Sequence, residues 1–232
     1  MSRIALITGA SAGIGEACAI KLAENGFDLI IAGRRKNNLD KLAGKIQNQY
    51  NNDVLSLCLD VRNFEEVEKT VQSLPEKWKA IDLLVNNAGL AVGVSPFQEG
   101  VVDDWDRMID TNVKGLLYVT RCISPLMAAR KKGLIVNISS IAGKEVYPGG
   151  NVYCGTKHAV EAITKGMRID LLQHNIRVSS IAPGMVETEF SLIRFKGDAD
   201  KAEQVYQGFE PQKRKILQKV FFLLPHVLTM FQ

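Results

Sequence analysis

The four cysteines, Cys18, Cys58, Cys122 and Cys154, lie far apart, with no CxxC pair and no metal-ligand spacing. That argues against a disulfide-stapled scaffold or a thiolate metal centre, so no metal is expected and the thiols are read as reduced. Dense basic runs are absent as well. A net charge of +4 over 232 residues points away from nucleic acid and leaves only a slight preference for anionic ligands. Ser2 and Arg3 alone separate Met1 from the first apolar run, which leaves no room for a signal peptide and makes the cytoplasm the expected compartment. A membrane span is not expected either. The most apolar stretch, residues 220–231, is broken by Pro225 and carries His226, and a span needs about 20 residues. Repeats, linkers and low-complexity segments are missing. A hydrophobic content of 46% and a charged content of 23% are those of an ordinary soluble globule, long enough for one sizeable α/β domain.

What is present is a rhythm. Apolar runs at 4–7, 29–32, 54–59, 83–85, 134–138 and 178–181 are nearly continuous rather than alternating, as in buried parallel strands. Helical patterns fill the gaps at 14–25, 37–50, 63–73, 103–129 and 152–174. The expected fold is therefore a single-domain α/β protein with a Rossmann-like, doubly wound parallel sheet. Ligands on such a sheet sit beyond the carboxyl ends of the strands, so the residues that follow each strand are the informative ones.

After the first strand comes Thr8-Gly9-Ala10-Ser11-Ala12-Gly13-Ile14-Gly15. A plain turn explains such a stretch by itself. Between a strand and a helix it also suits a dinucleotide, because Gly9, Gly13 and Gly15 let the backbone approach a pyrophosphate while Ser11 and Ile14 open the helix whose N–H groups face that anion. After the second strand an acidic residue is lacking. Gly33-Arg34-Arg35 stands where a carboxylate would hold the adenosine ribose. Arg34 offers a charged fork to a 2′-phosphate instead, so NADP is the expected cofactor. Arg35 is either part of that site or a solvated helix-start arginine. Asp60-Val61 follows the third strand, with Asp60 read either as an adenine partner or as a helix cap. Asn86-Asn87-Ala88-Gly89 follows the fourth, small enough to pass close to a cofactor.

The candidate reacting centre is Ser140, at the end of the fifth strand, with Tyr153 and Lys157 four residues apart on one helix face. Hydride exchange between a carbinol and a nicotinamide needs a group that trades the hydroxyl proton. A free tyrosine titrates near pH ~10. An ammonium one turn away, together with the positive charge of the nicotinamide, is expected to lower that value, and a serine hydroxyl can hold the substrate oxygen.

These residues resemble the short-chain dehydrogenase/reductase family from about residue 3 to about residue 207. TGxxxGIG stands at 8–15, NNAG at 86–89, and Asn112, Ser140, Tyr153-x-x-x-Lys157 and Pro183-Gly184 follow, with Thr188 beyond. The resemblance implies roles. Tyr153 would be the acid/base, Lys157 would bind the nicotinamide ribose, Ser140 would position the substrate, and Asn112 would hold a relay water. Asn87, Ala88 and Gly89 would line the cofactor, and Pro183, Gly184, Val186 and Thr188 would touch its nicotinamide side. A narrower likeness, carried by residues 141–143, 147–150 and 187–198, is to the NADP-dependent 3-hydroxy acid (serine, allo-threonine) dehydrogenases. It makes Tyr147 and Arg194 substrate candidates. Arg194 would clamp a carboxylate, or else be a solvated or intersubunit arginine. Family members are usually tetramers, so a homo-oligomer with a small hydroxy acid or carbonyl substrate is implied.

After Gln207 the likeness stops, so we divide the chain into a dehydrogenase domain, 1–207, and an atypical tail, 208–232. One choice of codons for residues 213–222, started two bases later, reads KKDIAESVF, and residues 225–232 give TRPHNVS. Both resemble what the family places there. The expectation is a one-base frame change near 207–210, with the last strand of the sheet missing or altered. Two alternatives to a 3-hydroxy acid dehydrogenase remain open. One is an NADP-binding protein with little turnover. The other is a carbonyl reductase for bulkier substrates, which would need Arg194 turned away from the pocket.

Overall fold

The apolar runs form strands with two buried faces. In a computed structural model that describes residues 2–184, 186, 190–198 and 200, Arg3–Thr8 (β1), Phe27–Gly33 (β2), Val54–Cys58 (β3), Ile81–Asn86 (β4), Gly133–Ile138 (β5) and Ile176–Ile181 (β6) pair in parallel, in the order β3-β2-β1-β4-β5-β6. Side chains alternate across the sheet. Ala5, Ile7, Leu29, Ile31, Leu83 and Val85 meet Gly13–Glu24 (α1) and Lys36–Tyr50 (α2) on one face. Ile4, Leu6, Ile30, Leu84 and Ile135 meet Phe64–Gln72 (α3) and Leu116–Ala129 (α5) on the other. Every strand position of β2 is buried, and at ~25 cal/mol per Å² such apolar layers dominate the folding free energy.

The third apolar run differs from expectation. It is half-buried throughout Val54–Leu57, because β3 pairs only with β2 among the described residues. The helix expected over 103–129 is also not continuous. It divides into Val102–Ile109 (α4), a π-helical turn Asp110–Gly115, and α5. The wider turn lets the buried Asn112 aim its carboxamide at the Leu90 backbone. The 152–174 expectation holds as Asn151–Leu171 (α6) with a 3₁₀ turn at Leu172–His174, and Phe190–Arg194 forms a short helix (α7).

Chain order reverses between β1 and β4, which are neighbours although β2 and β3 lie on the other side. Such a switch point leaves a crevice beyond the strand ends. Among the described residues no helix is long and apolar enough to cross a membrane, no group of side chains is disposed to hold a metal, and all four cysteines are free. The expected last strand and the tail lie outside the described residues.

Candidate functional site

A cavity of about 660 Å³ opens at that switch point. Gly9, Ser11, Gly13, Ile14, Arg34, Arg35, Asp60, Val61, Asn87, Ala88 and Gly89 line one end, and Ser140, Tyr147, Tyr153, Lys157, Pro183, Gly184, Val186 and Arg194 line the other. Residues from six strand ends thus meet, as the strand order requires. Gly15 and Asn112 sit behind the wall rather than in it. Thr188 lies outside the described residues.

The first turn is a cradle that side chains would fill. A Cβ on Gly15 would stand 2.4 Å from the Gly9 carbonyl oxygen and 2.5 Å from Asn87 Nδ2. Gly9 adopts φ +64°, which L residues rarely adopt. Thr8 and Asn87 lock this turn to β4. Thr8 Oγ1 accepts from the Asn87 and Ala88 amides, both at 3.0 Å, and Asn87 Nδ2 donates to the carbonyls of Thr8 at 2.9 Å and Gly9 at 3.2 Å. Asn87 therefore spends its amide on shaping the turn. Thr8 was not among the sequence candidates, although its place before the first glycine was the available signal.

At the far rim Arg34 is exposed, while Arg35 Nε donates to Ser11 Oγ at 3.2 Å. Asp60 is engaged by Arg62, whose guanidinium closes to 2.6 Å and holds the carboxyl below its ordinary range. The cap of α3 is Asn63, which accepts from the Glu66 amide at 3.1 Å. The cap reading of Asp60 is thus corrected, because the helix begins after Asn63.

At the opposite end Tyr153 and Lys157 project from successive turns of α6 and are only 9% and 6% exposed. Lys157 Nζ stands 5.9 Å from the centre of the Tyr153 ring and donates to the Ile138 carbonyl at 2.9 Å. Burial pushes the Tyr153 phenol up to about 12, opposed by its hydrogen bond with Ser140 and by the Arg194 charge. Burial drives Lys157 down to about 8, which Glu161 partly offsets. The expected lowering of the phenol relies on the nicotinamide's charge as well as on the ammonium, and the protein by itself holds the phenol high. Lys157 is spent on the end of β5, and desolvation outweighs the charges that reach the ring. Phe190 of α7 packs on Tyr153, with ring centres 5.9 Å apart. Ile138 and Phe190 carried no polar signal in the sequence, and only the fold shows their part.

Asn112 Oδ1 accepts from the Leu90 amide at 2.8 Å. Its Nδ2 donates to the Leu90 carbonyl at 2.8 Å and to Thr156 Oγ1 at 3.0 Å. Both N–H donors of the side chain are used, and they tie α6 to the loop after β4. A Cβ on Gly89 would lie 3.2 Å from Asn112 Oδ1 and 3.6 Å from Lys157 Nζ, so that glycine keeps the space between them open.

Arg194 Nη2 donates to the Tyr147 hydroxyl at 3.1 Å, and the guanidinium lies 5.1 Å from the centre of that ring. Arg194 Nε is buried without a hydrogen-bond partner among the described residues. A cation and a phenol thus share one wall of the cavity, facing the Ser140 and Tyr153 side.

The short chain dehydrogenase family matches residues 3–197. The chain belongs to that family. Among known relatives, the NADP-dependent 3-hydroxy acid dehydrogenase of Salmonella typhi is 47% identical over 206 residues, covering 88% of this chain and 82% of that protein. The NADP-dependent 3-hydroxy acid dehydrogenase of Schizosaccharomyces pombe is 42% identical over 207 residues, covering 89% and 80%. Among solved structures, the closed form of serine dehydrogenase complexed with NADP+ superimposes with a TM-score of 0.88 at 43% identity, covering 95% of this chain and 88% of that one. The Rossmann-like parallel sheet expected from the apolar rhythm is the fold these proteins share.

Proposed function

We propose that this member of the short-chain dehydrogenase family transfers a hydride between NADP and the carbinol carbon of a short 3-hydroxy acid, with Tyr153 exchanging the hydroxyl proton. The chain is an NADP-dependent dehydrogenase acting on a hydroxyl group. The residues present fit that cofactor. The glycine turn, with Gly9 and Gly13 on the cavity wall, lets a pyrophosphate approach its backbone, and Arg34 stands where an acid would repel a 2′-phosphate. Gly9, Ser11, Gly13, Ile14, Asp60, Val61 and Ala88 complete the adenosine and phosphate end, and Pro183, Gly184 and Val186 line the nicotinamide end. Bound NADP supplies the hydride acceptor in oxidation and, reduced, the donor in the reverse direction.

The observation that carries the proposal is the meeting of the Ser140 and Tyr153 hydroxyls beside Lys157 in the cavity that holds the glycine turn. Ser140 holds the substrate oxygen. Tyr153 takes its proton in oxidation and returns it in reduction. Lys157 keeps a positive charge next to the phenol and binds ribose hydroxyls. Because both N–H donors of the Asn112 carboxamide are used, any water held there is a donor to its Oδ1 or a partner of its main chain. Arg194, steadied on Tyr147, offers its remaining N–H groups to a carboxylate. A guanidinium held against the cavity wall favours an acid over the bulky, uncharged substrates of a carbonyl reductase. We assign the enzyme to the cytoplasm. We also retain the division at residue 207 and the frame-change origin of 208–232. The division is supported by alignments that span 206 or 207 of the 232 residues, and sequencing the transcript decides the frame change, since an uninterrupted frame ends the idea.

The test is a panel of serine, allo-threonine, 3-hydroxypropanoate and 3-hydroxyisobutyrate with NADP and NAD in parallel. Oxidation of at least one acid with NADP is the expected result. Cofactor binding without oxidation of any of them indicates a binding protein instead. Arg34→Ala is expected to weaken NADP by about 10- to 100-fold, the worth of a charged hydrogen bond, and to leave NAD nearly unchanged. Equal losses for both cofactors would overturn the 2′-phosphate assignment.

A further inference from the structure

The segment that carries Arg194 is fastened at two points away from the cavity. The Gly93 amide donates to the Arg194 carbonyl at 2.9 Å. Two residues on, Lys196 Nζ reaches Asp104 Oδ2 at 2.8 Å. Asp104 lies on α4 with its side chain only 6% exposed, whereas the Lys196 side chain is 54% exposed. Gly93 joins the two points. It adopts φ +74°, and a Cβ there would approach Asp104 Oδ2 to 3.0 Å. Lys196 itself adopts φ +55°, turning the chain back after α7 so that its ammonium meets α4.

A carboxylate this buried needs a charged partner. Arg107, 3.6 Å away on the same helix, is fixed to α4 wherever the segment goes. Lys196 is the charged residue, among the described ones, that connects that carboxylate to the segment around Arg194. We propose that Asp104 and Lys196 are positioning residues, a latch that holds Arg194 over the substrate end of the cavity and so sets the preference for an anionic substrate. The proposal rests on the reading of Arg194 as a carboxylate clamp. Neither residue touches the reacting groups. Their effect runs through the Arg194 backbone, because with the Gly93 bond and the ion pair in place the guanidinium is delivered to Tyr147 rather than to solvent.

Lys196→Met tests this, since an exposed side chain is replaced and Asp104 keeps Arg107 as a charged partner. With saturating NADP, KM for 3-hydroxypropanoate is expected to rise about fivefold, in line with the loss of one partly exposed ion pair. The kcat, the KM for the methyl ester of the same acid and NADP binding are expected to stay within twofold of the wild type. Lys196→Arg restores the acid-to-ester ratio. Hydrogen exchange gives a readout independent of activity, because the amides of residues 190–198 exchange faster in Lys196→Met only if the latch holds them. Unchanged exchange together with an unchanged KM overturns the proposal, as does an equal loss on acid and ester. If the wild-type protein oxidises no hydroxy acid while exchange still accelerates, the substrate reading fails and the specificity role falls with it, although the latch stands as a mechanical fact.

Discussion

Tyr153→Phe leaves NADP bound and removes turnover by about 10³-fold or more, the scale expected when a positioned general acid/base is lost. The substitution deletes one oxygen and keeps the ring that packs on Phe190, so neither folding nor the glycine turn built by other elements is disturbed. Fluorescence titration with NADPH reads binding, and single-turnover kinetics on an oxidised hydroxy acid read chemistry. A residual rate within tenfold of the wild type would remove Tyr153 from the role. The pH profile carries the same test further. In the protein alone, burial pushes the phenol up to about 12, so at neutrality it is protonated and suited to giving a proton. For oxidation it must lose that proton, which requires positive charge close by. The wild-type oxidation rate is therefore expected to rise with pH and to level off well below 12 in the presence of NADP. A profile still climbing at pH 11 would mean that the charges near the ring do not act on it.

Lys157→Met is expected to abolish turnover and, in the absence of cofactor, to stabilise the fold near neutrality. The sign follows from burial. Lys157 is held down at about 8, below the ~10.4 of an unfolded lysine. Between those values the folded protein binds fewer protons than the unfolded chain, so its stability rises with pH across this window. Below about pH 8 the cost of keeping a buried ammonium is present in full. Methionine has no such cost, though it leaves the Ile138 carbonyl without its 2.9 Å donor. Weighing about 3 kcal/mol of desolvation against about 1 for the lost hydrogen bond, we expect a net gain of about 2 kcal/mol at pH 7. It should shrink toward pH 10.5 and reverse there. Tyr153 contributes stability that is present below pH 10 and lost as pH rises toward 12, but it does so in both proteins and cancels in the difference. Thermal melts at pH 7 and pH 10.5 check the claim, and a difference that does not change with pH would refute it. With the role proposed for it, the buried lysine is a site where stability is given up for chemistry, as strained or desolvated functional groups commonly require.

Much of this was legible in the chain itself. Continuous apolar runs read as strands with both faces covered, and glycines at 9, 13 and 15 read as a backbone meant to lie close to something. Where such runs were read too simply, geometry was the reason. Val54–Leu57 carries the composition of a central strand but pairs on one side only, and composition cannot tell an edge from a centre. The 103–129 pattern has helical periodicity throughout, and nothing in that period announces the extra residue of a π turn. Asp60 looked like a cap because it precedes a helix, yet the helix starts beyond Asn63.

The residue order alone determined the alternation of strands and helices, the glycine turn, the absence of an acid after β2 and the Tyr153–Lys157 spacing, because each is a local pattern with a local physical cause. Only the tertiary structure decided that Lys157 rests on Ile138, that Thr8 and Asn87 bolt two strand ends together, that Asn112 is spent on Leu90, and that Lys196 pairs with Asp104. Those partners lie 19 to 92 residues apart in the chain. No periodicity reaches so far. Contacts of that kind exist only once the sheet has brought its strand ends to one edge.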